Sequence, residues 1–78
     1  MYVKTQNGDL ILLFHFSGIY VINTQNSIAI KAGSVILGTY QDKECAKLVM
    51  KKIEEAIIND QKLMEMPTKE DVSRWLEL

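Results

Sequence analysis

The chain has 78 residues, with nine Lys plus Arg against ten Asp plus Glu for a formal net charge of −1; 47% of it is hydrophobic and 24% charged. This is one small domain, too short for large folds such as (β/α)₈ barrels. The near-neutral balance disfavours binding of phosphate backbones by counterion release, no run reaches the ~18 apolar residues of a bilayer span, and a single cysteine cannot form an internal disulfide.

A chain of this length buries only roughly 60% of its unfolded surface, so its core is marginal unless a second copy supplies the missing contacts. The distribution of charge sharpens the point. Residues 1–41 carry only Lys4, Asp9 and Lys31, whereas residues 42–78 carry the other seven basic and nine acidic side chains. A half so poor in solubilising groups needs a cover. Met1 to Gln6 lacks the basic-then-apolar order of a signal peptide, and the isolated Cys45 fits a reducing compartment, which gives a cytoplasmic protein as the expectation.

In chain order, the first half reads as strands, because β-branched and aromatic residues come in short runs divided by turn residues. Met1–Gln6 is the first run, Asn7-Gly8 a two-residue type I′ turn, and Asp9–Phe16 the second run. That turn pairs Gln6 with Asp9 and Val3 with Leu12, so Val3, Thr5, Leu10, Leu12, Phe14 and Phe16 share one face. The opposite face, with Ile11, Leu13 and His15, is also largely apolar, so the second strand is expected to be covered on both sides. Ile19–Asn23, Ile28–Ala32 and Ser34–Tyr40 supply three more strands, with Gly38 marking a bulge or the close approach of another backbone.

At Asp42 the period changes from two to 3.6. Ala46, Val49, Met50, Ile53, Ala56 and Ile57 make one helical stripe that starts at an Asp42 N-cap and runs to Asn59 or Asp60. Lys47, Lys51, Lys52, Glu54 and Glu55 fall on the other side, read as a solvated face and not a binding site. Gln61–Met66 reads as a linker, followed by a short helix capped by Thr68 with Asp71 three residues on and an apolar edge of Val72, Trp75 and Leu76. Ten residues are too few for a free helix, so this tail needs Trp75 to dock.

Chemistry is sparse. His15, the one histidine, sits between Phe14 and Phe16 and reads as structural, with a base of an enzyme as the competing role. Cys45 lies in the first helical turn, where the dipole favours a thiolate, but it has no second cysteine. One His, one Cys and scattered acids make no metal-ligand spacing, and the lone glycines form no phosphate cradle. No cofactor and no catalytic residues are expected. Trp75 stands out because tryptophan in a terminal appendage combines large apolar area with one polar handle, as at interfaces.

The order Lys4-Thr5-Gln6-Asn7-Gly8-Asp9-Leu10-Ile11, then Leu37-Gly38-Thr39-Tyr40 before the helix, then Glu44, Ala46 and Val49 after its cap, resembles a diffuse group of small uncharacterised proteins from Firmicutes and their phages. The resemblance covers roughly the first 57 residues and brings no catalytic residues. It implies a bacterial or phage protein with a non-enzymatic role, such as a phage-encoded factor that binds a host protein.

The expected fold is α+β: a five-stranded, strongly curved antiparallel meander, in its most closed form a partial barrel of the pleckstrin-like kind, then one amphipathic helix and a short C-terminal helix. Residues 1–60 hold sheet and main helix, and 61–78 the linker and tail of the same domain. The expected function is a small non-catalytic binding or regulatory protein, homo-oligomeric as a dimer or higher, with Leu13, Phe14, Phe16, Tyr20, Trp75 and Leu76 as interface residues. The alternatives are an oligomer that sequesters a small nucleotide-type ligand, a nucleic-acid-associated factor, and a small enzyme using His15.

Overall fold

The first hairpin forms one residue out of the expected register, and this decides which side chains enter the core. In the computed structural model, which describes residues 1–13 and 18–77, β1 (Tyr2–Lys4) pairs antiparallel with β2 (Leu10–Leu12), Tyr2 opposite Leu12, Val3 opposite Ile11 and Lys4 opposite Leu10. Gln6, Asn7 and Gly8 form the loop: Thr5 N donates to Asp9 O at 2.8 Å, and Gly8 N donates to Thr5 O at 2.9 Å. Gly8 closes it at φ 91°, a conformation that costs glycine nothing. A two-residue turn would have paired Gln6 with Asp9. Because side chains alternate, the one-residue slip exchanges the faces: Met1, Val3 and Leu13 are buried with Ile11 packed beside them, while Leu10 is left 60% exposed. The expected double cover of the second strand is thus not found at Leu10. Its continuation at Phe14 and Phe16 lies outside the described residues.

The single five-stranded meander is replaced by two three-stranded sheets. One has the order β2-β1-β6 and the other β3-β4-β5, with β3 (Ile19–Asn23), β4 (Ile28–Ala32) and β5 (Val35–Tyr40) antiparallel. The sixth strand, β6 (Leu63–Glu65), comes from the segment read as a linker. It runs parallel to β1, fixed at its two ends by Tyr2 N donating to Lys62 O at 2.8 Å and Met66 N donating to Lys4 O at 2.9 Å. Met64 and Met66 turn into the core and Leu63 and Glu65 turn out, a period of two that marks the piece as a strand. In β5 the register skips a residue: Ile30 faces Gly38 but Lys31 faces Ile36, so Leu37 is the extra residue of a bulge, and its side chain is fully buried.

The main helix α1 (Lys43–Ile58) begins as the sequence predicts. Cys45 N donates to Asp42 Oδ1 at 3.0 Å, and Cys45, Ala46, Val49, Ile53 and Ala56 form its buried stripe, packed chiefly over β4 and β5. It ends on a Schellman motif, with Asp60 N donating to Ile57 O and Gln61 N to Ala56 O, and this forces Asp60 to φ 54°. An aspartate pays for the left-handed conformation where glycine would not. Asp60→Gly is therefore expected to raise stability by about 0.5–1 kcal/mol, seen as a higher urea midpoint with unchanged slope. The short helix α2 (Lys69–Glu77) carries the expected reciprocal cap, Asp71 N donating to Thr68 Oγ1 and Thr68 N to Asp71 Oδ2, each at 3.1 Å. Val72 is fully buried and the helix docks on α1 of its own chain.

Candidate functional site

The two outer edges of the sheet β3-β4-β5 are treated differently, and Gln6 is the reason. Its backbone N–H donates to Leu37 O at 2.9 Å, its Oε1 accepts from Thr39 N at 2.7 Å, and its Nε2 donates to Thr39 O at 3.3 Å and to Pro67 O at 3.0 Å. One glutamine from the first hairpin thereby stands in for a neighbouring strand along β5. Both donors of its amide and its carbonyl oxygen are engaged, and the β5 edge is covered from Leu37 to Thr39. Beside it the Tyr40 hydroxyl, on a fully buried side chain, also donates to Pro67 O, at 2.8 Å. The sequence offered no signal for this, since a polar residue next to Asn7-Gly8 looks like a turn residue and nothing more.

At the other edge, β3 pairs only with β4 among the described residues. Ile19, Tyr20, Val21, Ile22 and Asn23 contain no charge and no proline, the usual guards of a free edge. Tyr20 is 43% exposed and Val21 42%. Tyr20 and Ile22 point to the outer face of the sheet, Val21 and Asn23 to the side that carries α1.

Because α1 lies over β4 and β5, a groove of about 610 Å³ remains between it and β3. Val21, Ala46 and Met50 make its apolar floor, and Lys43, Lys47 and Lys51 make its wall, with Glu54 at one end. The structure thus divides the charged residues that the sequence assigned to one solvated face. Lys52 and Glu55 approach within 3.9 Å on the flank of α1 next to α2, while Lys47 and Lys51 border the groove.

The residues expected at an interface fall in separate places. Leu13 is buried and lines a second, apolar groove of about 680 Å³ with Ile19, Met50, Ile53 and Ile57. Phe14 and Phe16, and His15 between them, lie outside the described residues. Tyr20 is on the open edge, where its hydroxyl donates to Gly33 O. Trp75 is half-buried against the chain's own core, with Lys52 Nζ 5.6 Å from its ring centroid, and Leu76 next to it is half-exposed.

The groups with perturbed titration have structural causes. Burial pushes the Cys45 thiol up, and the Asp42 carboxylate adds to this, so burial overrides the helix dipole that the sequence reading credited with favouring a thiolate. Asp42 itself is lowered, first by the Cys45 backbone N–H that it accepts. Among the described residues, no group of three or more His, Cys, Asp and Glu is placed to hold a metal, and no helix is long and apolar enough to cross a membrane. Comparison of the chain with family models, with curated proteins and with solved structures finds no match.

Proposed function

We propose that this protein is a non-catalytic binding module that works as a homodimer, two copies joined antiparallel along β3. The observation that carries the reading is the contrast between the two edges among the described residues: Gln6 covers β5 from Leu37 to Thr39, whereas β3 presents five uncharged residues and half-exposed Tyr20 and Val21 to the outside. Self-pairing centred on Val21 makes a two-fold contact, in which each side offers the same surface to the other. It sets Tyr20 opposite Ile22 of the second copy on the outer face and Val21 opposite its own counterpart on the inner face. Aromatic and β-branched pairs of this kind contribute roughly 0.2–1 kcal/mol each beyond the main-chain hydrogen bonds.

A five-residue edge is at the small end of specific interfaces, so the dimer is expected to dissociate in the micromolar range. The non-catalytic part of the reading is supported by the roles of the two groups with raised titration. The Tyr40 hydroxyl is committed to Pro67 O, and the Cys45 thiol is buried and held in its neutral form.

Light scattering after size exclusion tests the dimer. At high micromolar concentration the chain is expected to run at twice the 8.9 kDa of one copy. Tyr20→Glu is expected to run as a monomer, because it sets a carboxylate against Ile22 of the second copy. Within one copy the same glutamate faces Lys31 across the strand pair, which offsets part of the lost Tyr20 hydroxyl bond to Gly33 O, so the fold is preserved, as a cooperative thermal melt at low concentration would register. A mass of one copy for the unmodified chain, or a dimer that survives Tyr20→Glu, overturns the reading.

A further inference from the structure

We infer that the groove between α1 and β3 binds an extended acidic peptide segment with carboxylates at alternate positions and apolar side chains between them. Lys43, Lys47 and Lys51 recur every fourth residue, so they stand on one flank of α1 about 6 Å apart along its axis at 1.5 Å rise per residue. A strand repeats on one side every ~6.6 Å, twice its rise of about 3.3 Å per residue. Across the three lysines the two spacings diverge by little more than 1 Å, which the long lysine stems absorb.

The alternate side chains of such a segment point the other way, onto Val21, Ala46 and Met50. Apolar residues there find an apolar floor. The one ion pair among the described residues, Lys52 with Glu55, lies outside the groove and leaves its three lysines unneutralised. Glu54 at one end sets polarity, since a carboxylate is favoured along the lysines and disfavoured past Met50.

Nucleic acid is a poorer occupant, because among the described residues the floor is aliphatic and offers no aromatic ring to stack a base, and the chain as a whole is at −1. A second copy lying in the groove is also poorer, because the other described strands bring no alternating row of carboxylates: β6 carries one, Glu65, and β3 none. The groove is walled by side chains on the α1 side of β3, so it stays open when the hydrogen-bonding edge of that strand is used, and the inference does not depend on the dimer.

Fluorescence polarisation with four probes tests it: a labelled peptide alternating glutamate with valine or leucine, the same residues with the glutamates in one block, the alternating peptide with glutamine for glutamate, and a single-stranded oligonucleotide of equal charge. The alternating peptide is expected to bind about tenfold or more tighter than the block and glutamine versions, and to weaken as salt is raised. Lys47→Glu with Lys51→Glu is expected to lose at least about tenfold in affinity, whereas Lys52→Glu, outside the groove, keeps it. Both changes are at exposed positions, and circular dichroism checks that the helix is intact.

Equal binding of alternating and block peptides overturns the inference. So does retained affinity after the double charge reversal, or an oligonucleotide that binds as tightly as the peptide. Tyr20→Glu separates the two proposals: a monomer that still binds the alternating peptide upholds the groove whatever becomes of the dimer, and a Tyr20→Glu chain that loses the peptide overturns the claim that the groove is independent of the edge.

Discussion

Gln6→Ala is expected to lower stability by about 2–3 kcal/mol, a large effect for a half-buried polar residue in a loop. The change deletes the donor and acceptor that serve Thr39 O, Pro67 O and Thr39 N. Hydrogen bonds of this kind contribute about 1 kcal/mol each net, and an amide left unpaired in a part-buried place costs about 1–3 kcal/mol by itself. Pro67 O keeps the Tyr40 hydroxyl and is spared the full penalty. Thr39 N has no such substitute.

The same site explains Gly38. A Cβ added there would lie 2.9 Å from Gln6 Cδ and 2.9 Å from Tyr40 Oη. Neither can step aside cheaply, since the glutamine is held by its hydrogen bonds and the tyrosine ring is fully buried. Gly38→Ala is therefore expected to cost about 1–3 kcal/mol by overpacking. The two changes should not add. Once Gln6 is alanine one of the two obstructions is gone, so Gly38→Ala should cost less in that background, by about 0.5–2 kcal/mol, but not nothing, because Tyr40 Oη stays. Urea midpoints for the two single variants and the double variant close the cycle. Strict additivity would mean that Gln6 does not pack against Gly38 in solution.

The loop at Gln6 also shows where sequence reasoning stops. Features set by a few adjacent residues were legible: the Asp42 cap, the apolar stripe through Val49 and Ile53, and the Thr68 and Asp71 cap. Each depends on the backbone within one turn or one helix, and the residues that cause it stand side by side in the chain. Features set by distant partners were not. Asn7-Gly8 suits a two-residue turn as well as the three-residue loop that forms, and the choice falls to Gln6, whose backbone and side chain are bound to β5 thirty residues and more away. The parallel strand Leu63–Glu65 is too short to declare itself except through the alternation of Met64 and Met66, and it becomes a strand only because β1 is there to receive it.

The candidate site was half legible for the same reason. The scarcity of charge in residues 1–41 and the two apolar faces of the second strand led to the expected self-association, but nothing in the sequence singled out Ile19–Asn23 as the edge. The groove beside it is a property of where α1 lands. A helix centred over β3 would have covered Val21 and left its lysines in open solvent. Over β4 and β5 it leaves them facing a trough.

Alkaline solution is expected to unfold this protein through Tyr40. Its phenol is held far above the ordinary value near 10, first by burial and then by the charge of Asp71, with the Gln6 contact opposing both. In the unfolded chain the same phenol ionises near pH ~10. Below that value both states are protonated, and this group adds no pH dependence. As the pH climbs past it, the unfolded state sheds a proton that the native state keeps, so stability falls by about 1.4 kcal/mol for each pH unit until the native phenol itself ionises. At about pH 11.5 the loss from this residue amounts to roughly 2 kcal/mol. Tyr40→Phe removes the titrating group and the bond to Pro67 O, whose other donor, Gln6 Nε2, remains, so it should cost about 1 kcal/mol at neutral pH. The remaining titratable groups are common to both proteins, and their difference in urea midpoint isolates Tyr40. That difference should shrink above pH ~10 and change sign near pH ~11, leaving the phenylalanine variant the more stable of the two. A difference that stays constant through this range would place the Tyr40 hydroxyl in water instead of against Pro67.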